Sequence, residues 1–447
     1  MFVANRTQLG TSPAKEILLD FVEAGIASAH PLRLLPRMVN YHDDTLSIGR
    51  QEYPLHGKRI FVIGGGKAAA AMAVALEQIL PPERMTAGVV VANDARHTPT
   101  KIQVAIGDHP VPSERNVAGV QRMLDLKETY GIKSDDLIIA FLSGGGSSLL
   151  PYPVEGVTLD DKRKMVEVLI RSGATAHEVT VLKKKISRIK GGKLAHFFSP
   201  ARIIAFVLSD VIGNDVDVIA SGPFAEDTTT VDDAFGIIKR YGISYALPSS
   251  ILKHLEVARG QDDDGEEQSD ASRVEHILIG DHTMILDAIE EAARGLGISV
   301  TKQSHIEGEA SALARTLCRD LRTQDMQRPA LFLFGGESTV TLSKNHGAGG
   351  RNQEFIAACL LSLSEQPFAG SWAIASIATD GVDFIPTSMG GMIDDQSVAR
   401  LKREGIDAAS FLSRHDTHAL LRKIEGNIEP SGPTGTNVCD VMMFLFL

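Results

Sequence analysis

The 447-residue chain predicts an α/β fold with mostly parallel strands, divided into two domains. Three observations carry this expectation. Short apolar, β-branched runs recur at 59–63, 88–92, 137–142, 202–208, 276–279, 331–334 and 373–378, and each ends in a glycine-rich or acidic turn before a helical stretch. That alternation marks strands joined by helical crossovers. The length is more than one hydrophobic core usually serves, at about 150 residues per domain. Finally, the stretch QDDDGEEQSD at 261–270 is acidic and free of apolar residues, so it has nothing to bury and reads as a solvated boundary. The expected division is therefore 1–260 and 272–430, with 431–447 able to rejoin the first domain. Ser272 onward reads as a fresh strand and an amphipathic helix, with Ile285, Ile289 and Ala292 or Ala293 at helical spacing.

Composition narrows the function classes. The net charge of −11 disfavours nucleic acid or an anionic membrane as the main partner, while a small anionic ligand stays open because such sites depend on local geometry. Cys318, Cys359 and Cys439 are far apart and in no CxxC spacing, which suggests free thiols in a reducing compartment rather than disulfides or structural zinc. Asp20 and Glu23 interrupt the best apolar stretch near the start, and no run approaches the roughly 20 apolar residues of a membrane helix. A cytoplasmic protein is expected.

The downstream ends of the strands carry the chemistry, which is where open α/β sheets place ligands. The first such end is FVIGGGKAAAAMAVALEQIL at 61–80. Gly64, Gly65 and Gly66 would let backbone N–H groups approach a phosphate or carboxylate, the helix start adds its dipole, and Lys67 adds a full charge. Gly64, Gly66 and Ala69 also satisfy a GxGxxA dinucleotide pattern, although Asn93 and Asp94 come late for its acidic partner. A plain tight turn remains the third reading. The second end, DLIIAFLSGGGSSLLPYP at 136–153, presents Ser143, Gly144, Gly145, Gly146 and Ser147. It is neither a GxSxG elbow nor a Walker A loop. Two glycine loops suggest a ligand with more than one anionic group.

Further on, LKKKISRIKGGKLAHFF at 182–198 offers a basic run with Lys190 before paired glycines, to be read as a second phosphate contact or as a solvated helix face. The third strand end, RIIAFVLSDVIGNDVDVIASGP, groups Ser209, Asp210, Asn214, Asp215 and Asp217. Hard oxygens of this kind suit Mg²⁺ or orient a hydroxyl, with Asp210 and Asp215 as candidate metal ligands, or else they cap helices. In the second half, ALFLFGGESTVTLSKNHGAGGRNQEF places Glu337 after one glycine pair, and Arg351 and Asn352 at a glycine-rich helix start suited to a bidentate anion contact. Thr379, Asp380 and Asp383 follow another strand, and Thr434, Gly435, Thr436 and Asn437 form a last polar loop.

In this order, the segments IGGGKAAAAMA, GDHPVPSER, LSGGGSSLLPYP, ISRIKGGKLA, LSDVIGNDVDVIASGP, GGESTVTL with GAGGRNQE, ATDGVD and GPTGTNV span nearly the whole chain. The chain resembles the two-domain glycerate 2-kinases whose C-terminal part is the MOFRL domain. The resemblance implies a Rossmann-like N-terminal domain, a smaller MOFRL-type α/β domain, and an active site in the interdomain cleft. It further implies ATP-dependent phosphorylation of D-glycerate at the 2-hydroxyl with Mg²⁺ or another divalent cation; the expected assembly is a monomer or homodimer. By the family pattern Lys67 and Arg351 should hold the substrate or the transferring phosphate; from the placement of the acids at strand ends, Asp210 or Asp380 is expected to orient the attacking hydroxyl or the metal.

Departures from the pattern occur at TDGVDFIPTSMGG, where Phe384, Ile385 and Ser388 are unusual, and at Thr180 and Lys183, where asparagine and arginine are expected. They bear on the choice of hydroxy acid. The rival expectation is an NAD(P)H-dependent reductase of hydroxypyruvate or tartronate semialdehyde, with His109 as candidate acid/base. A noncatalytic sugar-acid or nucleotide sensor on the same fold is a third reading.

Overall fold

The computed structural model describes residues 1–260 and 273–447. The expected acidic boundary at 261–270 and the domain start at Ser272 lie outside the described residues. The chain divides into two units, residues 34–279, and residues 1–33 with 280–447.

The unit of residues 34–279 opens with a three-stranded antiparallel sheet, β1 Val39–His42, β2 Thr45–Ile48 and β3 Gln51–Pro54. Its main sheet contains β4 Ile60–Gly65, β5 Ala87–Ala92, β6 Gln103–Ile106, β7 Leu137–Ser143, β8 Arg202–Leu208 and β9 Val274–Gly280. The spatial order is β6-β5-β4-β7-β8-β9, with parallel pairing from β6 through β8. Counted from β4 this is the 3-2-1-4-5-6 order of the Rossmann fold, in which the strand order reverses between β4 and β7. β4 and β7 are buried along their whole length, as strands covered on both faces must be, which explains their unbroken apolar runs. A second core forms around the helices Leu159–Arg171, Ala176–Lys185, Val231–Tyr241 and Ser249–Arg259, with Met165, Leu169, Leu182 and Ile251 at its centre.

The other unit is built on a mixed sheet. Its strands are β10 Ser299–Glu309, β11 Ala330–Thr339, β12 Trp372–Ala378, β13 Gly390–Asp394, β14 Asn427–Ile428 and β15 Asp440–Phe446, in the order β10-β11-β15-β12-β13-β14. β10 and β11 run parallel, and the other pairings are antiparallel. Residues 431–447, which the sequence allowed to rejoin 1–260, lie instead in this unit, and 440–446 supply an interior strand of its sheet because their apolar run pairs with both β11 and β12.

Residues 1–33, which the sequence grouped with 34–260, lie here as well. The helix Pro13–Ser28 packs against the helix His282–Gly295 with Gly25 beneath Ile285 and Ile289, where a Cβ would come within 3.1 Å of both side chains. Buried Lys15 meets buried Asp394 at 3.2 Å, and Asn5 exchanges hydrogen bonds with Asn427 O and Glu429 N, both at 2.9 Å. This redraws the expected boundary: a segment remote in sequence closes the second unit because its apolar helix face matches the face of the helix after β9.

Candidate active site

The loops after β4 and β7 emerge side by side at the point where the strand order reverses, the usual ligand crevice of an open α/β sheet. Their close approach explains the glycines. At Gly64, φ is 131° and a Cβ would lie 2.1 Å from Phe141 O; at Gly66, φ is 143° and a Cβ would lie 2.1 Å from Ser143 Oγ. Both positions exclude any side chain.

The amides that were expected to face an anion are engaged within the protein. Gly66 N donates to Val91 O (3.1 Å), Lys67 N to Gly144 O (2.9 Å) and Ala68 N to Ser143 Oγ (3.0 Å). Ser143, expected at a ligand, is fully buried and caps this turn instead. The expectation for Gly64, Gly65 and Gly66 is corrected accordingly: they permit strand contact, and the first loop offers the Lys67 side chain rather than a row of donors. In the second loop, a Cβ on Gly145 (φ 77°) would meet the His109 ring at 3.0 Å and Lys67 Cγ at 3.1 Å. Lys67, His109 and the Gly144–Gly145 turn are thus neighbours.

The basic run sorts into two kinds of residue. Lys184 pairs with Asp217 and with Asp227, and Lys185 pairs with Asp227 at 2.9 Å. Lys193 donates to Lys184 O and Ser187 O, and Arg188 stacks on Tyr152. Lys190, by contrast, is fully buried with its Nζ 3.0 Å from Ala220 O. A solvated helix face does not describe these lysines.

After β8, Asp210, Asn214 and Asp215 lie in one partly exposed turn. Asn214 has φ 58°, and Asp215 Oδ1 accepts from Asp217 N at 3.0 Å. Since Asp217 is held by Lys184, it is lost as a metal ligand. Among the described residues no group of three or more His, Cys, Asp or Glu could hold a metal ion. Asp210 and Asp215 fit Mg²⁺ only as one or two carboxylates beside phosphate oxygens and water.

In the other unit, Arg351 begins the helix Arg351–Glu365. Its Nε and Nη2 grip the two oxygens of Asp440 at 2.5 and 3.0 Å, and Nη1 meets Glu337. Burial opposes the charge on Arg351, but Asp440 and Glu337 outweigh it and hold the guanidinium protonated above its ordinary range. Burial pushes Asp440 up to about 6 even with Arg351 beside it. One edge of the fork expected to bind a ligand is therefore occupied by Asp440, a residue the sequence reading missed; its only signal was an acid at the head of an apolar strand.

Several residues expected at a ligand serve the fold instead. Asn352 is fully buried, donates from N and Nδ2 to Asp383 at 3.0 and 3.2 Å, and accepts from Ser376 Oγ at 2.5 Å. Gln353 N also donates to Asp383, so that buried carboxylate caps the helix. Buried Thr434 and Thr436 donate their hydroxyls to Thr379 O and Ala29 O at 2.6 and 2.7 Å. Asp380 stays partly exposed, with Oδ1 accepting from Val382 N at 2.9 Å, and Asn437 is nearly buried beside Thr436. Cys318, Cys359 and Cys439 are buried free thiols. No helix among the described residues is long and apolar enough to cross a membrane.

Comparison with known proteins follows the same division. Residues 17–256 match the family described as "Domain of unknown function (DUF4147)", and residues 330–440 match the MOFRL family. The glycerate 2-kinase of Pyrococcus horikoshii is 33% identical over 438 residues, covering 96% of each chain. A chain of Agrobacterium vitis, provisionally named a hydroxypyruvate reductase, is 37% identical over 442 residues, covering 97% of this chain and 94% of its own. The crystal structure of a glycerate kinase from Thermotoga maritima aligns with a TM-score of 0.78 at 30% identity, covering 97% of this chain and 99% of its own. A Rossmann-ordered unit with two facing glycine loops, joined in one chain to a MOFRL region and matched end to end by such relatives, places this protein in the glycerate 2-kinase family.

Proposed function

We propose that the protein transfers the γ-phosphoryl group of ATP to the 2-hydroxyl of D-glycerate, giving 2-phosphoglycerate and ADP. The observation that carries this reading is the state of the first glycine loop. A dinucleotide reductase needs the amides after β4 free for a pyrophosphate at the helix start. Here those of Gly66, Lys67 and Ala68 are spent on Val91, Gly144 and Ser143, and what the loop presents is a lysine. Phosphoryl transfer asks for positioned cations rather than a nicotinamide cradle. This separates the kinase reading from the reductase name carried by the A. vitis chains.

In the transfer, the glycerate 2-hydroxyl oxygen forms a bond to the γ-phosphorus as the bond from that phosphorus to the β,γ-bridging oxygen breaks. The hydroxyl proton passes to a base, for which Asp210 and Asp380 are the candidates. Lys67 faces charge developing on the transferring group, where a fixed cation is most effective. Arg351 would hold the substrate carboxylate or the phosphoryl oxygens by exchanging Glu337 for the ligand, while Asp440 keeps the guanidinium plane fixed. Mg²⁺, bound through phosphate oxygens with Asp210 and Asp215, would neutralise charge on the nucleotide. The three buried thiols suit a reducing cytoplasm.

The deciding assay incubates purified protein with D-glycerate, ATP and Mg²⁺, beside hydroxypyruvate with NADH or NADPH, and identifies the product isomer. ADP formation that depends on D-glycerate, with 2-phosphoglycerate as product, is expected. Nicotinamide oxidation without ADP would replace this reading with the reductase.

A further inference from the structure

Three lysines of the parallel-sheet unit are withdrawn from water with no acid beside them. Lys190 is fully buried, Lys162 is 4% exposed and Lys183 is partly covered. Among the described residues the ammonium groups of Lys162 and Lys183 make no hydrogen bond or ion pair, and that of Lys190 has only the carbonyl of Ala220. Their charges reach one another. Burial, then Lys162 and Lys183, drives Lys190 well below its ordinary range; burial, then Lys183 and Arg163, takes Lys162 to about 7. Immediately after Lys183 the same run neutralises Lys184 and Lys185 with Asp217 and Asp227, so acids are within reach of this segment and are withheld from the other three. A buried ammonium without a counter-charge destabilises the fold, and a packing role does not explain three together.

The cluster adjoins two hydroxyls. The turn Ile219–Ser221 packs against both the turn Gly146–Leu149 and the helix Ala176–Lys185 that carries Lys183. Ser147 Oγ and Ser221 Oγ lie 3.0 Å apart, and a Cβ on Gly146 would come within 2.7 Å of Ala220 Cβ. Ala220 and Ser221 adopt φ of 53° and 65°, a left-handed conformation that residues with side chains rarely take and that concentrates at binding sites.

We propose that Lys162, Lys183 and Lys190, with the hydroxyls of Ser147 and Ser221, form a receptor for a phosphate chain of two or more negative charges, the polyphosphate of a nucleotide. Three ammonium groups without an acid exceed what one carboxylate balances, and the serine hydroxyls can donate to phosphate oxygens while the ammoniums supply charge. The inference rests on the kinase reading for the nucleotide, whereas the phosphate chemistry is tested without turnover.

The test is calorimetric titration of the full chain with inorganic tripolyphosphate, ADP and 2-phosphoglycerate, in the wild type and in Lys162→Met, Lys190→Met and Lys164→Met. The wild type is expected to bind tripolyphosphate and ADP. Lys162→Met and Lys190→Met should each weaken both by about tenfold or more, while Lys164→Met, exposed on the same helix, leaves them unchanged. Without anion, Lys162→Met should melt no lower than the wild type, which guards against a folding defect. No binding by the wild type, or equal binding by the Lys162 and Lys190 variants, overturns the receptor. Loss of 2-phosphoglycerate binding with ADP binding intact would give the site to the product and overturn the nucleotide assignment. If lysine-dependent tripolyphosphate binding holds but no ADP forms with D-glycerate, the kinase reading falls and the receptor stands; if glycerate is phosphorylated while the variants bind normally, the reverse follows.

Discussion

Where residues 34–279 bury Lys162 and Lys190 with no carboxylate against them, residues 280–447 bury Asp383 and Asp440 each against matched donors. The first arrangement spends stability and leaves charge for something to answer. The second satisfies its charge internally and fixes a helix start and a guanidinium plane. The difference teaches that charge near a glycine loop is not by itself a ligand signal: what matters is whether the protein has already supplied the partner.

The sharpest way to break the comparison is Lys67→Ala. D-glycerate-dependent ADP formation should fall by about 10² or more, because the proposed mechanism sets the Lys67 cation against the transferring phosphoryl group. Near-normal turnover would remove it from the site. Arg351→Ala should differ in kind. Turnover should fall comparably, by about 10², and stability should fall as well, by about 3 kcal/mol, because buried Asp440 loses its partner. Adding Asp440→Asn should recover much of the stability in urea denaturation without restoring turnover. If the single variant is as stable as the wild type, the paired description of this unit is wrong.

How far the sequence could carry this distinction depends on the range of the interaction. The seven apolar runs all became strands, since a short β-branched run that ends in a glycine-rich or acidic turn is a local signal. β1, β2, β3, β6, β10, β13, β14 and β15 were missed: half-polar or very short strands such as Gln51–Pro54, Gln103–Ile106 and Asn427–Ile428 carry weak patterns, and β15 was read as part of a polar loop's tail. Thr434 and Thr436 looked like ligand residues because a hydroxyl's carbonyl partner cannot be read from spacing when it lies on Thr379 or Ala29. Lys162 went unnoticed because DDKRKM reads as a solvated charge run, and only the fold removes that one lysine from water.

Smaller effects sharpen the same contrast. Asp383→Ala deletes the acceptor for the Asn352 and Gln353 amides and should cost about 2 kcal/mol in urea denaturation, as expected for a helix cap lost from a buried site. An unchanged midpoint would mean that the helix start is held by other contacts. Protonation should show the opposite sign in the other unit. With Lys162 lowered from 10.5 to about 7 by burial, Lys183 and Arg163, the unfolded chain binds a proton that the folded chain lacks across that window. Stability should therefore rise with pH there, by about 1 kcal/mol between pH 7 and about pH 8, and be lost as pH falls through 7. Lys162→Met should flatten the rise, and a pH-independent difference between the two proteins would break the account.

The position of β15 reaches beyond the site, into the way the molecule is made. Residues 440–446 fill the middle of a sheet whose flanking strands, β11 and β12, are synthesised before them, and the helix Pro13–Ser28 of the same unit is synthesised far earlier still. At roughly 5–20 residues per second, that helix waits on the order of tens of seconds for the strand that completes its unit, while residues 34–279 can fold during that interval. Order of synthesis and order of completion are thus inverted, and until 440–446 are made β11 and β12 each present an unpaired edge open to wrong pairing.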